Sequence, residues 1–264
     1  MRRAPIILIL SLVALHYSAS LCGQDQPVRP AITGITHVRL WSADPRAAVG
    51  SQANLLAEVA FATADAMGMH RYLQAHSIRA EPVTRDFNGT VHFSFQDPEG
   101  LPITFVQPPA HRQFTTSASQ ISARLIHAGF VVRDRAAEDK FYKDILGFHV
   151  YWHGGMKDEE SNWVDMQVPD GTDWLEYMLN VPANADKHTL GVMNHIALGV
   201  PDVHAAERQL RTNGWNGTEQ PKIGRDGKWQ LNLYDPDGTR VELMEFTPSQ
   251  KPCCSDYSGP HPKP

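Results

Sequence analysis

The chain has 264 residues, 42% of them hydrophobic and 20% charged, with a formal net charge of −5. That is ordinary globular composition, enough for one large or two small domains. It holds no basic run of the kind that binds nucleic acid, and three cysteines do not make a disulfide framework.

At the N-terminus, Arg2 and Arg3 precede a short apolar run at 6–15, followed by the small residues Ser18, Ala19 and Ser20. This is the form of a secretory signal peptide, and it is too short to span a bilayer. It predicts cleavage between Ser20 and Gln24 and a secreted or periplasmic protein. Cys22 would suit a lipid anchor, but the bulky Leu21 before it argues against one. No other apolar run is long enough for a membrane span.

One pattern then recurs: a polar residue in a strand, an Asp seven positions on, and an alanine-rich helix start. The pairs are His37 and Asp44, Glu58 and Asp65, His127 and Asp134, and His195 and Asp202. Each Asp stands where a helix N-cap belongs, because its side chain can accept orphan backbone N–H bonds. The turns Asp97-Pro98-Glu99-Gly100 and Asp235-Pro236-Asp237-Gly238 recur as well, with Pro169-Asp170-Gly171 a weaker echo. Such self-similarity marks repeated units. Each unit reads as βαβββ, with amphipathic helices at 136–147 and 203–214 ending at Gly147 and Gly214.

The expected class is α+β, with repeated βαβββ modules pairing into open, cup-like sheets behind the signal peptide. The divisions are a signal peptide at 1–23, a reduced, non-catalytic domain at 32–108 and a linker at 109–121. A complete metal-binding domain at 122–247 and a Pro-rich tail at 248–264 follow. The first copy is only a strand, at 35–41.

The two complete units offer one His on the first strand and one Glu on the last. His127 and Glu176 are 49 positions apart; His195 and Glu242 are 47 apart. In a cup, all four could meet. A carboxylate inside an apolar strand such as 241–246 is costly unless it is paired, hydrogen-bonded or bound to a metal. Two imidazoles and two carboxylates suit one divalent ion such as Zn, Ni, Co, Fe(II) or Mn.

These stretches resemble the vicinal oxygen chelate superfamily, which includes glyoxalase I, extradiol dioxygenases and methylmalonyl-CoA epimerase. The resemblance rests on HAGFVVRD (127–134), FYKDILGF (141–148), LEYMLN (175–180), NHIALGVPD (194–202) and DPDGTRVELMEF (235–246). It covers 122–247 well and 32–108 weakly. It implies paired βαβββ modules around a metal held by His127, Glu176, His195 and Glu242. The equivalent positions in the N-terminal copy are His37, Glu58 and Thr104, which implies no metal there.

The ligand set is most similar to that of glyoxalase I, a lyase in which one Zn, Ni or Co ion binds adjacent substrate oxygens and a Glu ligand moves a proton. The resemblance gives Glu242 that role, with Glu176 as alternate, and makes Asn180 a substrate-binding residue. Val131 stands where glutathione-using members carry Arg, so the small-molecule substrate is not expected to be a glutathione adduct. Asn194 is also unusual before the second His. The alternative is an Fe(II) extradiol dioxygenase using His127, His195 and Glu242, disfavoured by Asn232 where those enzymes carry Tyr. A second alternative is a non-catalytic binding protein of the bleomycin-resistance type.

Of the aromatics Trp152, Trp163, Trp174, Tyr177, Trp215, Trp229 and Tyr234, some could line an apolar pocket, while most read as ordinary core and hairpin packing. Lys222, Arg225 and Lys228 could hold an anion but read first as a solvated loop. The tail, with Cys253, Cys254 and His261, reads first as disordered; a metal group or a vicinal disulfide are the alternatives.

Overall fold

The computed structural model describes residues 27–41, 56–109, 117 and 119–264. The expected signal segment, Cys22, Asp44 and most of the 109–121 linker lie outside the described residues. No helix among those described is long and apolar enough to cross a membrane.

The fold is mixed α+β with two sheets, one of them a curled half-barrel. The first sheet is built from β1 (Ile32–Leu40), β2 (Leu56–Thr63), β3 (Thr84–Arg85), β4 (Val91–Gln96) and β5 (Pro102–Gln107). Its order is β1-β2-β5-β4-β3, with α1 (Ala66–Ala75) between β2 and β3. The second has eight strands. They are β6 (Arg124–Val131), β7 (His149–Gly154), β8 (Trp163–Gln167), β9 (Trp174–Met178), β10 (His195–Val200), β11 (Lys222–Ile223), β12 (Trp229–Tyr234) and β13 (Arg240–Glu245). Their order is β11-β12-β13-β10-β6-β9-β8-β7.

The modular pattern is visible in the pairing. At the centre of the large sheet β6 and β10 are antiparallel, while β6–β9 and β10–β13 are parallel. The small sheet repeats one side of this, with β1–β2 antiparallel and β2–β5 parallel. Each parallel pair needs a crossover, supplied by α1, by α4 (Val203–Thr212), and by α2 (Arg135–Asp139) continuing as a π-helical turn over Lys140–Ile145. A further helix, α3 (Lys187–Met193), leads into β10. The repeated Asp residues are caps: Asp65, Asp134 and Asp202 accept from the backbone N–H three residues on, at 2.8, 3.0 and 2.9 Å. Gly147 and Gly214 end their helices at φ 80° and 99°, a conformation only glycine adopts cheaply.

Each Asp-Pro-X-Gly turn is held by its first Asp. Asp235 Oδ1 accepts from Asp237 N and Thr239 N at 2.9 and 2.8 Å. In the small sheet the equivalent turn also docks onto the large half. Glu99 Oε1 accepts from Arg133 N and Asp134 N, just before α2, at 2.6 and 2.5 Å. In return Asp170 and Asp173 accept from Ile32 N and Ile35 N on β1, each at 2.8 Å. One apolar core spans both sheets, with Phe61 edge-on to Phe148 and Phe95 to Phe141. Burying each such ring contributes about 1.5–3 kcal/mol.

The tail at 248–264 is ordered, contrary to the expectation of disorder. It runs along β7, the edge strand of the large sheet. Ser255 exchanges hydrogen bonds with the backbone of His153 at 2.9 Å each way, and Ser258 N donates to Tyr151 O at 2.9 Å. An exposed strand edge is a liability, and the tail covers this one. Cys253 and Cys254 form a disulfide with each other, so the metal group considered for the tail does not form.

The docking contact carries a titratable group. Glu138 on α2 is fully buried and accepts from Glu99 N at 3.2 Å. Burial, then the charges of Asp97 and Glu99, push its carboxyl from 4.5 up to about 9. A carboxyl that keeps its proton in the fold but loses it in the unfolded chain makes the native state bind more protons. Stability therefore falls as pH rises from about 4.5 to about 9. Glu138→Gln is expected to flatten that decline and raise Tm at pH 8. Parallel Tm–pH curves for variant and wild type would contradict the assignment.

Candidate metal centre

Two adjacent rows of cross-strand neighbours on the concave face build the site. The first row reads Arg240, His195, Gly129, Glu176, Asp165 across β13, β10, β6, β9 and β8. The second reads Asn232, Glu242, Ala197, His127, Trp174 across β12, β13, β10, β6 and β9. Side chains two apart on a strand share a face, so both rows point into one cavity of about 350 Å³.

The four sequence-predicted ligands meet there. His195 Nε2 lies 2.9 Å from Glu176 Oε2 and 3.1 Å from His127 Nε2. His127 Nε2 lies 3.5 Å from both Glu176 Oε2 and Glu242 Oε2. His127, His195 and Glu242 are buried, and Glu176 is half-buried. Bonds of about 2.0–2.1 Å to a central ion would put neighbouring ligand atoms about 3.0–3.4 Å apart, which these spacings match.

The protonation pattern fits a cation as well. His195 Nδ1 sits 3.1 Å from Met193 O, and a carbonyl can only accept. The proton is therefore on Nδ1, and Nε2 turns a lone pair toward Glu176 and His127. Burial pushes His127 well below the usual histidine value and His195 below it, so both imidazoles are neutral near pH 7. Lone pairs this close to a carboxylate repel unless a cation lies between them. His127, Glu176 and His195 could hold a divalent metal as a group. Glu242 stands at their edge, where burial pushes its carboxyl up to about 7.

Gly129, Asp165 and Asp226 went unnoticed in the sequence, and Asn194 was noticed without a role. Gly129 lies between His195 and Glu176, and a Cβ there would sit 2.0 Å from His195 Cε1. Asn194 is buried, and its Oδ1 accepts from Val131 N at 3.2 Å while Nδ2 donates to Leu190 O. The unusual Asn thus ties the start of β10 to the end of β6, at Val131, the position noted for its missing Arg. Asp165 and Asp226 are buried acids that also line the cavity.

Two expectations need correction. Lys228 is not on a solvated loop: it is fully buried, with Nζ 4.5 Å from the Trp174 ring centre and 5.3 Å from that of Tyr257. Asn180 does not join the cavity lining. It follows β9 at φ 59° and donates to Asn162 at 2.6 Å. In the small sheet the equivalent positions are otherwise engaged. Glu58 pairs with Arg39 at 2.8 Å, and Thr104 Oγ1 is 2.7 Å from Ser94 Oγ.

The family profile of the "Glyoxalase/Bleomycin resistance protein/Dioxygenase superfamily" matches residues 124–243. An ethylmalonyl-CoA/methylmalonyl-CoA epimerase of Cereibacter sphaeroides is 31% identical over 133 residues, 46% of this chain and 97% of that protein. The chain belongs to the glyoxalase/bleomycin resistance/dioxygenase superfamily. A lactoylglutathione lyase of Haemophilus influenzae is 27% identical over 124 residues, 46% of this chain and 92% of that one. A homoprotocatechuate 2,3-dioxygenase variant from B. fuscum shares the fold, at TM-score 0.53 and 21% identity. That match covers 72% of this chain and 54% of the dioxygenase, so the chain spans about half of that protein. The profile match falls on the large sheet, which carries the candidate metal centre.

Gly129→Ala tests the row directly. It is expected to leave the far-UV circular dichroism unchanged and to weaken Zn binding, measured by calorimetry, by about 10–100-fold or more. Unchanged affinity would show that His195 does not depend on the open space over Gly129.

Proposed function

We propose that this protein is a metal-dependent lyase or isomerase that moves a proton between adjacent carbons of a small substrate with two neighbouring oxygens. The observation that carries this reading is Glu176. A three-ligand iron site would use His127, His195 and one Glu, leaving the second Glu spare. Here Glu176 groups with both histidines, 2.9 Å from His195, and Glu242, 3.5 Å from His127 at the edge of that group, would make a set of four.

His127, His195, Glu176 and Glu242 would hold the ion, which when bound supplies Lewis acidity for the charge that develops on the substrate oxygens. Holding and moving the proton falls to the protein. Glu242 is the candidate: it is buried at the edge of the cluster, where a carboxylate beside the ion and facing the cavity can take and return a proton. Asn194 and the Met193 carbonyl hold the rings in place. Trp152, Trp163 and Trp174 keep water from one wall. The named relatives are a lyase and an epimerase, which supports proton transfer. Val131, in place of an Arg, supports a substrate other than a glutathione adduct. A signal peptide at 1–23 would agree, placing the protein in the periplasm or outside the cell.

The test is a paired assay on purified protein. The hemithioacetal of an aryl glyoxal with a small thiol is followed for thioester formation, and catechols are followed for oxygen uptake. Thioester formation that stops on chelation is expected, with Glu242→Gln slowing turnover by about 10²–10⁴-fold. Oxygen uptake with a catechol would overturn the reading in favour of ring cleavage. Substrate binding without turnover of either kind would favour a sequestering protein.

A further inference from the structure

Arg240 has no role in the metal centre described above. It opens the first row, next to His195 and on the same face as Glu242, and it lines the cavity. Its Nε is buried without a hydrogen-bond partner, and it makes no ion pair with any acid among the described residues. Asn232 Oδ1, beside Glu242 in the second row, is likewise buried and unpaired. A buried guanidinium N–H left unsatisfied is costly unless an acceptor arrives to satisfy it, and the Asn232 oxygen, itself an acceptor, leaves that need to Arg240 alone. The other cavity cations differ. Arg225 is spent on Asp158 and the Gly155 carbonyl, and Lys222 is exposed at the rim.

We infer that Arg240 forms an anion subsite that receives a carboxylate of the substrate, whose apolar or aryl body lies against Trp152, Trp163 and Trp174. The subsite rests on reading this cavity as the substrate site. The charge balance selects a monoanion. Glu176, Glu242, Asp165 and Asp226 line the other walls, so a dianion such as a phosphate would meet more repulsion than one free guanidinium offsets. The planar fork of Arg suits a carboxylate. The substrate class is therefore a small carboxylate with an apolar or aromatic body, rather than a neutral or phosphorylated compound.

The test uses probes without adjacent oxygens, so that it does not depend on the metal chemistry. Binding of 3-phenylpropanoate and of its neutral counterpart 3-phenylpropanamide is measured by quenching of the cavity tryptophans, with protein as purified and after chelation. The acid is expected to bind about tenfold more tightly than the amide in both preparations. Arg240→Gln should bring the acid to parity without weakening the amide. Arg240→Lys, which keeps the charge but loses the planar fork, should narrow the ratio about threefold and serves if Arg240→Gln does not fold. Equal binding of acid and amide to wild type, or no binding of either, would overturn the subsite. So would a preference that survives Arg240→Gln. If that surviving preference disappears on chelation, the carboxylate sits on the metal, and the metal centre stands while the subsite falls. A preference lost in Arg240→Gln but kept after chelation supports the subsite whether or not metal-dependent turnover is found.

Discussion

Everything at this site depends on two positions where the sheet carries almost no side chain. Gly129 separates His195 from Glu176, and Ala197 separates Glu242 from His127. In a flat row, residues two strands apart lie about 10 Å apart, too far to share an ion. Curling the sheet and emptying the middle position lets the outer side chains lean inward and touch. The imidazole of His195 occupies the space over Gly129, which is why a Cβ there would strike the ring. The antiparallel centre and its parallel flanks then place one His and one Glu from each module at the same depth. The repeat is thus the means by which four costly buried groups are brought to one point.

The same concave face carries more charge than a metal requires. Lys228 is buried among Trp174, Tyr151 and Tyr257, with Asp226 and Asp165 near it. Burial pulls the Lys228 amine down and pushes Asp226 up to about 6, while each partner's charge opposes the shift. Such groups are tolerated because they offset one another and lie against aromatic faces. Tyr257 belongs to the C-terminal tail and donates to Asp226 O at 2.7 Å. The tail therefore does more than shield the edge of β7: it closes the back of the cavity wall. Trp152, on that wall, donates to Cys253 O at 3.2 Å.

The candidate ligands stand out in the sequence because they repeat. His127 and His195 both precede a capping Asp by seven residues, and Glu176 and Glu242 both end their units. The helices were legible for local reasons, through Asp caps and Gly stops. What was not legible depends on cross-strand partners. Gly129 is one glycine among nineteen until the register sets it between His195 and Glu176. Lys228 follows the polar turn Arg225-Asp226-Gly227 in sequence, and its burial comes from Tyr151 and Trp174 of the sheet and Tyr257 of the returning tail. Asn180 matched a motif by spacing, but after β9 the chain turns at positive φ and carries it to Asn162 instead. The tail looked disordered because Pro, Ser and Gly give no periodicity, while its hydrogen bonds go to a strand about a hundred residues earlier.

The most direct test of the central claim is the metal content of anaerobically purified protein, by inductively coupled plasma mass spectrometry. Wild type, Glu176→Ala and Glu242→Ala are compared. The four-ligand site predicts about one Zn, Ni or Co per chain in wild type and loss of it in both variants. Iron retained by Glu176→Ala would mean that Glu176 is no ligand, and a wild type that takes up no divalent ion under any loading would contradict the metal centre itself.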